Sequence, residues 1–441
     1  MRHFLAFVVA VSVVTLGMPP AQAADPPAPT RMMDERLAVA YVLELLDQRL
    51  AIMPDVAAYK WSRQAPIQDP PREQAVIQNA VDRAAPLGLD AVGVRRVFDL
   101  QIRLARDVQS ELHARWKKSG FDKSRSIPSL ENDIRPKLDR ITPELLRALY
   151  LTAYELQRDD FVAVYTVLAS ERLTAQGWSE SSRRETLEAL HAVRLKAMPT
   201  LDRIRASGVL RIGTTGDYAP FSLLTGDTLS GSDIELAKSL AQKLQARPVF
   251  VRTTWGRLVD DLNVYKFDIA IGGVSVTPAR QAVAAFSVPY TSGGKTIVSR
   301  CKDARRYRSL KAVDRREVRV IVNPGGTNEQ FAREKLPHAN VRVFPDNRTI
   351  FEEIRAGRAD VMITDDVEVE LQTHRHKDLC RPFSGTFTHS DKAILMPREH
   401  TGGEERSAEN NLRAVVNNWL ESEVQIGNPE RLIEQFLQSP P

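Results

Sequence analysis

The chain has 441 residues, 43% of them hydrophobic and 27% charged. That balance describes soluble globular protein of two or three domains and excludes a disordered chain or a membrane bundle. Lys plus Arg outnumber Asp plus Glu by 61 to 56, a formal charge of +5; the excess is mild and spread out, which suits anionic small molecules and argues against a nucleic-acid partner.

In chain order, basic Arg2 and His3, an apolar run over 4–18 and the small residues Ala21-Gln22-Ala23 read as a signal peptide covering 1–23. The run is short for a membrane span, which needs about 20 apolar residues, so the mature chain is expected free of the membrane, in the periplasm. Pro26-Pro27-Ala28-Pro29 makes 24–33 a flexible N-terminus. Residues 34–198 carry helical periodicity and no strand-like runs, with breaks at 66–71, 86–88 and 119–128. From 201 onward short β-rich runs (209–213, 249–252, 267–271, 318–322, 341–344, 361–364 and 393–396) alternate with helical segments, the pattern of an α/β domain with mainly parallel sheets. The chain thus reads as multidomain, an all-α domain at 34–198 followed by an α/β domain at 201–441. Cys301 and Cys380 are the two cysteines, and an oxidising compartment makes a disulfide between them the default. No Cys/His cluster has metal-ligand spacing, and His374 and His376 read as a solvated helix end.

The helical half places charges on the wrong face. Between 37 and 60 the apolar stripe runs through Ala38, Val42, Leu45, Ile52 and Val56, and Arg49 and Lys60 fall on it. The two are eleven residues apart, about three helical turns, so they share a face if Pro54 only kinks the helix. A second stripe (Phe98, Ile102, Ala105, Leu112, Trp116) contains Gln109. An unpaired buried cation costs several kcal/mol, roughly, so something must neutralise it. Either these side chains snorkel or pair locally, Arg49 with Glu44 or Asp47, or the helices enclose a site for a polyanionic ligand.

Asp47-Gln-Arg-Leu50, Asp55-Val-Ala-Ala-Tyr-Lys-Trp61 and Pro66-Ile-Gln-Asp-Pro-Pro-Arg-Glu73 resemble the secreted, all-helical chorismate mutases, whose spacing of Arg, Lys and Arg is met by Arg49, Lys60 and Arg72. The resemblance implies that Arg49, Arg72 and Arg135 hold the substrate's carboxylates, that Lys60 and Gln109 donate to the ether oxygen, and that Asp69 and Glu73 bind the ring hydroxyl. Ala105 stands where a small hydroxyl residue is frequent. The reaction implied, chorismate to prephenate, is an intramolecular rearrangement that needs no cofactor.

The segments 201–221, 231–240 and 267–281 resemble periplasmic amino-acid-binding proteins: two α/β lobes around a cleft, with crossings near Ser299 and Met396, hence a first lobe of about 201–299 and 396–441 and a second of 300–395. Arg280 would clasp a ligand carboxylate, and the turn Pro324-Gly-Gly-Thr-Asn328 would offer backbone N–H groups to a second anion. A closer resemblance is to cyclohexadienyl dehydratases, carried by Val320-Ile-Val-Asn-Pro-Gly-Gly-Thr-Asn-Glu-Gln-Phe-Ala332, Phe344-Pro-Asp-Asn-Arg-Thr-Ile-Phe351 and Asp360-Val-Met-Ile-Thr-Asp-Asp-Val-Glu368; the two cysteines also sit where that family has them. It implies that Glu368 is the general acid and that Asp217, Trp255, Ser275, Lys295, Asn323, Gly326, Thr327, Asn328 and Asp365 line the cleft with Arg280. The acid must stay protonated near neutral pH, with burial and Asp365 raising its pKa and with Arg280 and Lys295 engaged elsewhere, on the substrate's carboxylates. Asp365, where receptors bind an amine, leaves room for L-arogenate beside prephenate. The expectation is a bifunctional enzyme that makes phenylpyruvate or L-phenylalanine and forms a homo-oligomer. The alternative is an amino-acid receptor carrying a helical interaction domain.

Overall fold

The computed structural model describes residues 29–124, 126–398 and 411–438; the signal-peptide reading lies outside them. The first half is all helix: α1 (Glu35–Ala51), α2 (Met53–Ser62), α3 (Pro70–Ala84), α4 (Ala91–Ser119), α5 (Arg135–Leu156), α6 (Phe161–Arg172) and α7 (Glu180–His191). Aspartates start three of these helices. Asp34, Asp69 and Asp90 accept the backbone N–H groups of Leu37, Arg72 and Gly93, satisfying donors that a helix leaves unpaired in its first turn. Pro54 falls in the first turn of α2, where it costs no hydrogen bond. Ile52 between α1 and α2 stays in the right-handed region (φ −78°, ψ −20°), so the chain bends there without reversing.

After α8 (Thr200–Ser207) come fifteen strands among the described residues. They are β1 (Val209–Thr214), β2 (Asp217–Tyr218), β3 (Ser222–Thr225), β4 (Thr228–Ser230), β5 (Arg247–Arg252), β6 (Ile269–Ala270), β7 (Ala285–Phe286), β8 (Thr291–Gly293), β9 (Lys295–Arg300), β10 (Arg319–Val322), β11 (Asn340–Val343), β12 (Val361–Asp365), β13 (Leu379–Cys380), β14 (Ser390–Lys392) and β15 (Leu395–Met396). One sheet has the order β5-β1-β6-β15-β7 and the other β11-β10-β12-β9-β13, giving two lobes. The chain crosses between them on the antiparallel pair β8 and β14. Crossings expected near Ser299 and Met396 therefore fall earlier, at Thr291–Gly293 and Ser390–Lys392, and Lys295 belongs to the second lobe. Cys301 and Cys380 are disulfide-bonded at the edge of that lobe. Thr30 to Met33, expected in a flexible stretch, are anchored: Leu229 N donates to Thr30 O (2.8 Å) and Met33 N to Phe250 O (2.7 Å).

The helical domain and the first lobe share one apolar core, in which Val39, Leu43 and Leu149 join Val209, Val249 and Phe267. At that junction the fully buried Asp268 accepts from Arg203 of α8 (3.1 Å) and from Arg211 of β1 (2.8 and 3.2 Å), while the Tyr150 hydroxyl of α5 donates to it at 3.4 Å. The Arg211 guanidinium lies 4.5 Å from the centroid of the Tyr150 ring. One carboxylate serves two buried guanidiniums, so removing it strands both charges. Asp268→Ala should lower unfolding free energy by about 3–5 kcal/mol in urea titrations, and Tyr150→Phe by only about 0.5–1.5 kcal/mol. An alanine variant as stable as the parent would remove Asp268 from this role.

Candidate active sites

In the helical domain Arg49 and Gln109 are 8% and 4% exposed. Arg49 donates to Thr142 Oγ1 of α5 (2.8 Å) and sits 5.1 Å from the Phe98 ring centroid of α4; its Nε is buried without a partner. Neither nearby acid pairs with it. Glu44 is bonded to Arg172, and Asp47 accepts from Thr174, Ala175 and Trp178. Burial pulls the guanidinium down to about 10, with Asp139 opposing. Gln109 uses its amide N–H on Ala105 O (2.9 Å), and its Oε1 is buried and unpartnered. Lys60, half-buried, donates to Ile67 O at 2.6 Å; burial pulls its pKa down, and Asp69 and Glu73 oppose. Arg49, Lys60 and Gln109 thus lie on α1, α2 and α4, around a core containing Leu50, Met53, Leu104 and Val108.

Other candidates in this half are placed differently. Arg72 is exposed, and Asp69 caps α3 while its own N–H donates to Glu73 (3.3 Å). Glu73 also lies 3.8 Å from Arg106. Arg135, 40% exposed, opens α5 and pairs with Glu131 at 3.5 Å. Unlike Arg49, Arg72 and Arg135 keep contact with solvent.

In the second half the candidates converge between the lobes. Asp217, on β2, accepts from Trp255 Nε1 (3.2 Å), and burial raises its pKa. Gly326, Thr327 and Asn328 begin the helix Thr327–Lys335 and line the cleft with Asn323. Gly325, at φ +71°, makes the turn before them, and a side chain there would meet Gly256 N at 2.9 Å. Asn328 donates to Asn323 (2.8 Å) and Thr364 (3.1 Å) and accepts from Lys295 Nζ (2.5 Å). Arg280 donates to Ser275 O (2.9 Å), has no acidic partner among the described residues, and is pulled down by burial to about 10.

The centre is Asp365. Its Oδ1 takes Lys295 Nζ and its Oδ2 takes Lys392 Nζ, both at 2.6 Å; the Tyr218 hydroxyl also donates to Oδ2. Burial works to raise its pKa, but the two ammoniums together hold it well below the carboxylate range. Lys392 reaches on to Ser275 Oγ at 2.7 Å. Lys295 was expected to be free for a ligand carboxylate; it is committed to Asp365 instead. Two lysines against one aspartate still leave the cluster one positive charge, with Arg280 adding another.

Glu368, one helical turn beyond Thr364 and 2% exposed, accepts from the Thr364 hydroxyl and from Asn347 Nδ2 at 3.5 Å. Burial pushes its pKa up to about 8; the Thr364 bond opposes, and the charge on Asp365 adds to the rise. Lys392, Tyr218, Thr364 and Asn347 escaped the sequence reading as site residues. Only their positions inside or beside the quoted motifs could have pointed to the last three, and Lys392 gave no local signal. The lobes close tightly, leaving a space of about 20 Å³ among these side chains, room for about one water. To admit a ring-sized guest the lobes would have to part at β8 and β14, breaking the Tyr218–Asp365 and Asn347–Asp217 bonds between them.

Fold and cleft define a two-lobed binding-protein domain behind a helical domain, and comparison with known proteins bears on both. Residues 210–439 match bacterial extracellular solute-binding proteins, family 3, and residues 40–110 match chorismate mutase type II. The chain is 40% identical over 266 residues to cyclohexadienyl dehydratase of Pseudomonas aeruginosa, covering 58% of this chain and 96% of that protein. It is 26% identical over 237 residues to the L-cystine-binding protein TcyJ of Escherichia coli, covering 54% and 85%. A solved structure of the ancestral amino acid-binding protein AncCDT-1, a precursor of cyclohexadienyl dehydratase, is similar at 34% identity and a TM-score of 0.49, over 54% of this chain and 100% of that one. The chain belongs to the family 3 solute-binding proteins, shares the family of the Pseudomonas dehydratase, and carries a chorismate mutase type II domain ahead of it. The mutase match ends before Arg135.

A buried acid with a pKa of about 8 is protonated below that pH and charged above it. If turnover uses its proton, kcat/KM for the second-domain reaction should be flat from about pH 6 to 7.5 and fall tenfold per unit above about 8. A profile that keeps rising past pH 9 would require a base in place of an acid.

Proposed function

We propose that the chain is an exported bifunctional enzyme that rearranges chorismate to prephenate in its helical domain and converts prephenate to phenylpyruvate, water and carbon dioxide in its cleft. The observation that carries the first step is Arg49, an interior guanidinium that forms no ion pair among the described residues, with Glu44 and Asp47 engaged elsewhere and Asp139 acting on it only through its charge. Such a charge suits a ligand carboxylate. Lys60, half-buried, and Gln109, whose amide can turn toward a guest, would hydrogen-bond the ether oxygen as the C–O bond breaks. Preorganised donors of this kind stabilise growing charge without any nucleophile.

The second step needs one proton. Glu368 would deliver it to the departing ring hydroxyl. The carbon–oxygen bond breaks, the carboxylate's carbon–carbon electrons move into the ring, carbon dioxide leaves and the ring becomes aromatic. Asn347 Oδ1, buried and without a partner, would accept a hydrogen bond from the departing hydroxyl, which keeps its own hydrogen and leaves as water. The two surplus positive charges, on Arg280 and on the Lys295–Asp365–Lys392 cluster, match the two carboxylates of prephenate. Export is supported by the bacterial extracellular family and the Cys301–Cys380 bond.

The receptor alternative fares worse at Asp365. Both of its oxygens already hold ammoniums, so a ligand amine would meet two like charges. The same argument ranks substrates: kcat/KM for prephenate should exceed that for L-arogenate by about tenfold or more, since about 1.4 kcal/mol of repulsion suffices. Equal efficiencies would show that Asp365 releases a lysine to the amine.

The test of the whole reading is conversion of chorismate to phenylpyruvate, followed by absorbance in alkali. Lys60→Ala should lower the first step about a hundredfold or more with prephenate turnover intact. Glu368→Gln should accumulate prephenate. Either variant behaving like the parent would move that role to another residue, and conversion of prephenate alone would leave the helical domain an assembly module.

A further inference from the structure

The positive excess of the chain, expected to be spread along it, is concentrated at one pole of the second lobe. Between β9 and β10, residues 300–319 hold nine Lys and Arg against the three acids Asp303, Asp314 and Glu317. That is +6, while the whole chain carries 61 cations against 56 acids, or +5, so the remaining residues sum to −1. The two neighbouring turns at this pole, 352–360 and 376–381, hold four cations and four acids and leave the excess unchanged.

This pole faces away from the cleft. Strand β9 starts in the cleft with Lys295 and ends at the pole with Arg300, and its antiparallel neighbour β12 runs back from Val361 to Asp365 in the cleft. The six residues of β9 thus separate the two ends by about 17 Å, at roughly 3.3 Å per step. The segment is firmly held. Arg300 and Arg319 both donate to Asp360 (3.3 and 2.7 Å), Cys301 is bonded to Cys380, and Tyr307 and Val313 are buried in the core of the lobe. Asp303 is engaged with Arg300 (2.8 Å) and Arg306 (3.8 Å), and Asp314 with His338 (2.7 Å). Lys302, Arg305, Arg308, Lys311, Arg315 and Arg316 are exposed and carry no ion pair among the described residues. No large apolar side chain between 300 and 319 is exposed.

We propose that this pole docks the mature chain on an anionic lipid surface, with the cleft turned away from it. The occupant follows from what the patch offers and what it lacks. Exposed cations without partners are drawn to a dense layer of negative headgroups, each one adding to the attraction within a Debye length, about 8 Å. Without an exposed aromatic or aliphatic anchor, the patch lacks the central side chains on which protein partners pack and the rings on which single-stranded nucleic acid stacks. Export, proposed above, sets the chain beside membranes, and the inference rests on that reading for its setting. Contact would be with headgroups alone, since no helix among the described residues is long and apolar enough to cross a membrane. Docked by this pole, the chain keeps its cleft free for substrate.

Flotation of the full mature chain with vesicles is the test. At low salt it should float with vesicles of equal parts phosphatidylglycerol and phosphatidylcholine and not with phosphatidylcholine alone, and high salt should weaken the binding at least tenfold. The triple variant Arg305→Gln, Arg308→Gln, Lys311→Gln should bind at least tenfold more weakly than the parent. The matched triple Lys117→Gln, Lys118→Gln, Lys123→Gln, which removes the same charge from exposed positions in the helical half, should differ from the parent less than about twofold. Thermal melts check folding, and the double variant Arg315→Gln, Arg316→Gln decides if the first triple does not fold. No binding to the mixed vesicles, equal loss in the two triples, or insensitivity to salt overturns the proposal. So does tighter binding to duplex DNA than to the mixed vesicles at equal salt, which would make the pole a nucleic-acid surface. Because the readout is surface binding, a chain inert toward chorismate can pass it and an active one can fail it.

Discussion

The second domain turns on a single carboxylate. Asp365 comes from the second lobe, Tyr218 from the first, Lys392 from a crossing strand and Lys295 from the strand beside it. Buried together, these four groups fix how the lobes meet. Their charge also acts on Glu368, one turn farther along: Asp365 disfavours a second negative charge nearby, Lys295 favours it, and burial decides for the neutral acid. A receptor uses such an aspartate to hold an amine. With both oxygens holding ammoniums, Asp365 opposes a further amine and raises the pKa of Glu368.

Much of this was legible in the sequence, and the misses have physical causes. Runs such as 209–213 and 361–364 lie in strands as expected, because buried parallel strands are unbroken β-branched and aliphatic stretches. The strand β9 was not read, although all but its last residue are buried. It begins with Lys295 and ends with Arg300, charges that look solvated until Asp365 and Asp360 are known to meet them. Lys392 hid for the same reason, in a polar Ser-Asp-Lys run whose partners Asp365 and Ser275 are remote in sequence. Periodicity did expose Arg49, since a cation on an apolar stripe is a local contradiction. Nothing local distinguishes Arg72 or Arg135, and both stay in contact with solvent in the fold.

The domain junction ties the two halves into one body. Asp268 neutralises two arginines with a tyrosine from the helical domain completing the set, and the apolar core runs through without a break. Such an interface resists relative movement of the domains, unlike the polar linkers that allow it. Motion needed to admit a guest to the cleft must therefore come from the second lobe, swinging on β8 and β14, while the first lobe and the helical domain stay together.

That division bears on how consecutive reactions share one chain. Under the proposed reactions, the product of the helical domain must reach the cleft across this joint, and fusion alone supplies no tunnel. What fusion does supply is proximity, together with a shared core at the junction. Any coupling between the two halves would run through this joint, where Asp268 and the shared apolar core join α5 to β1.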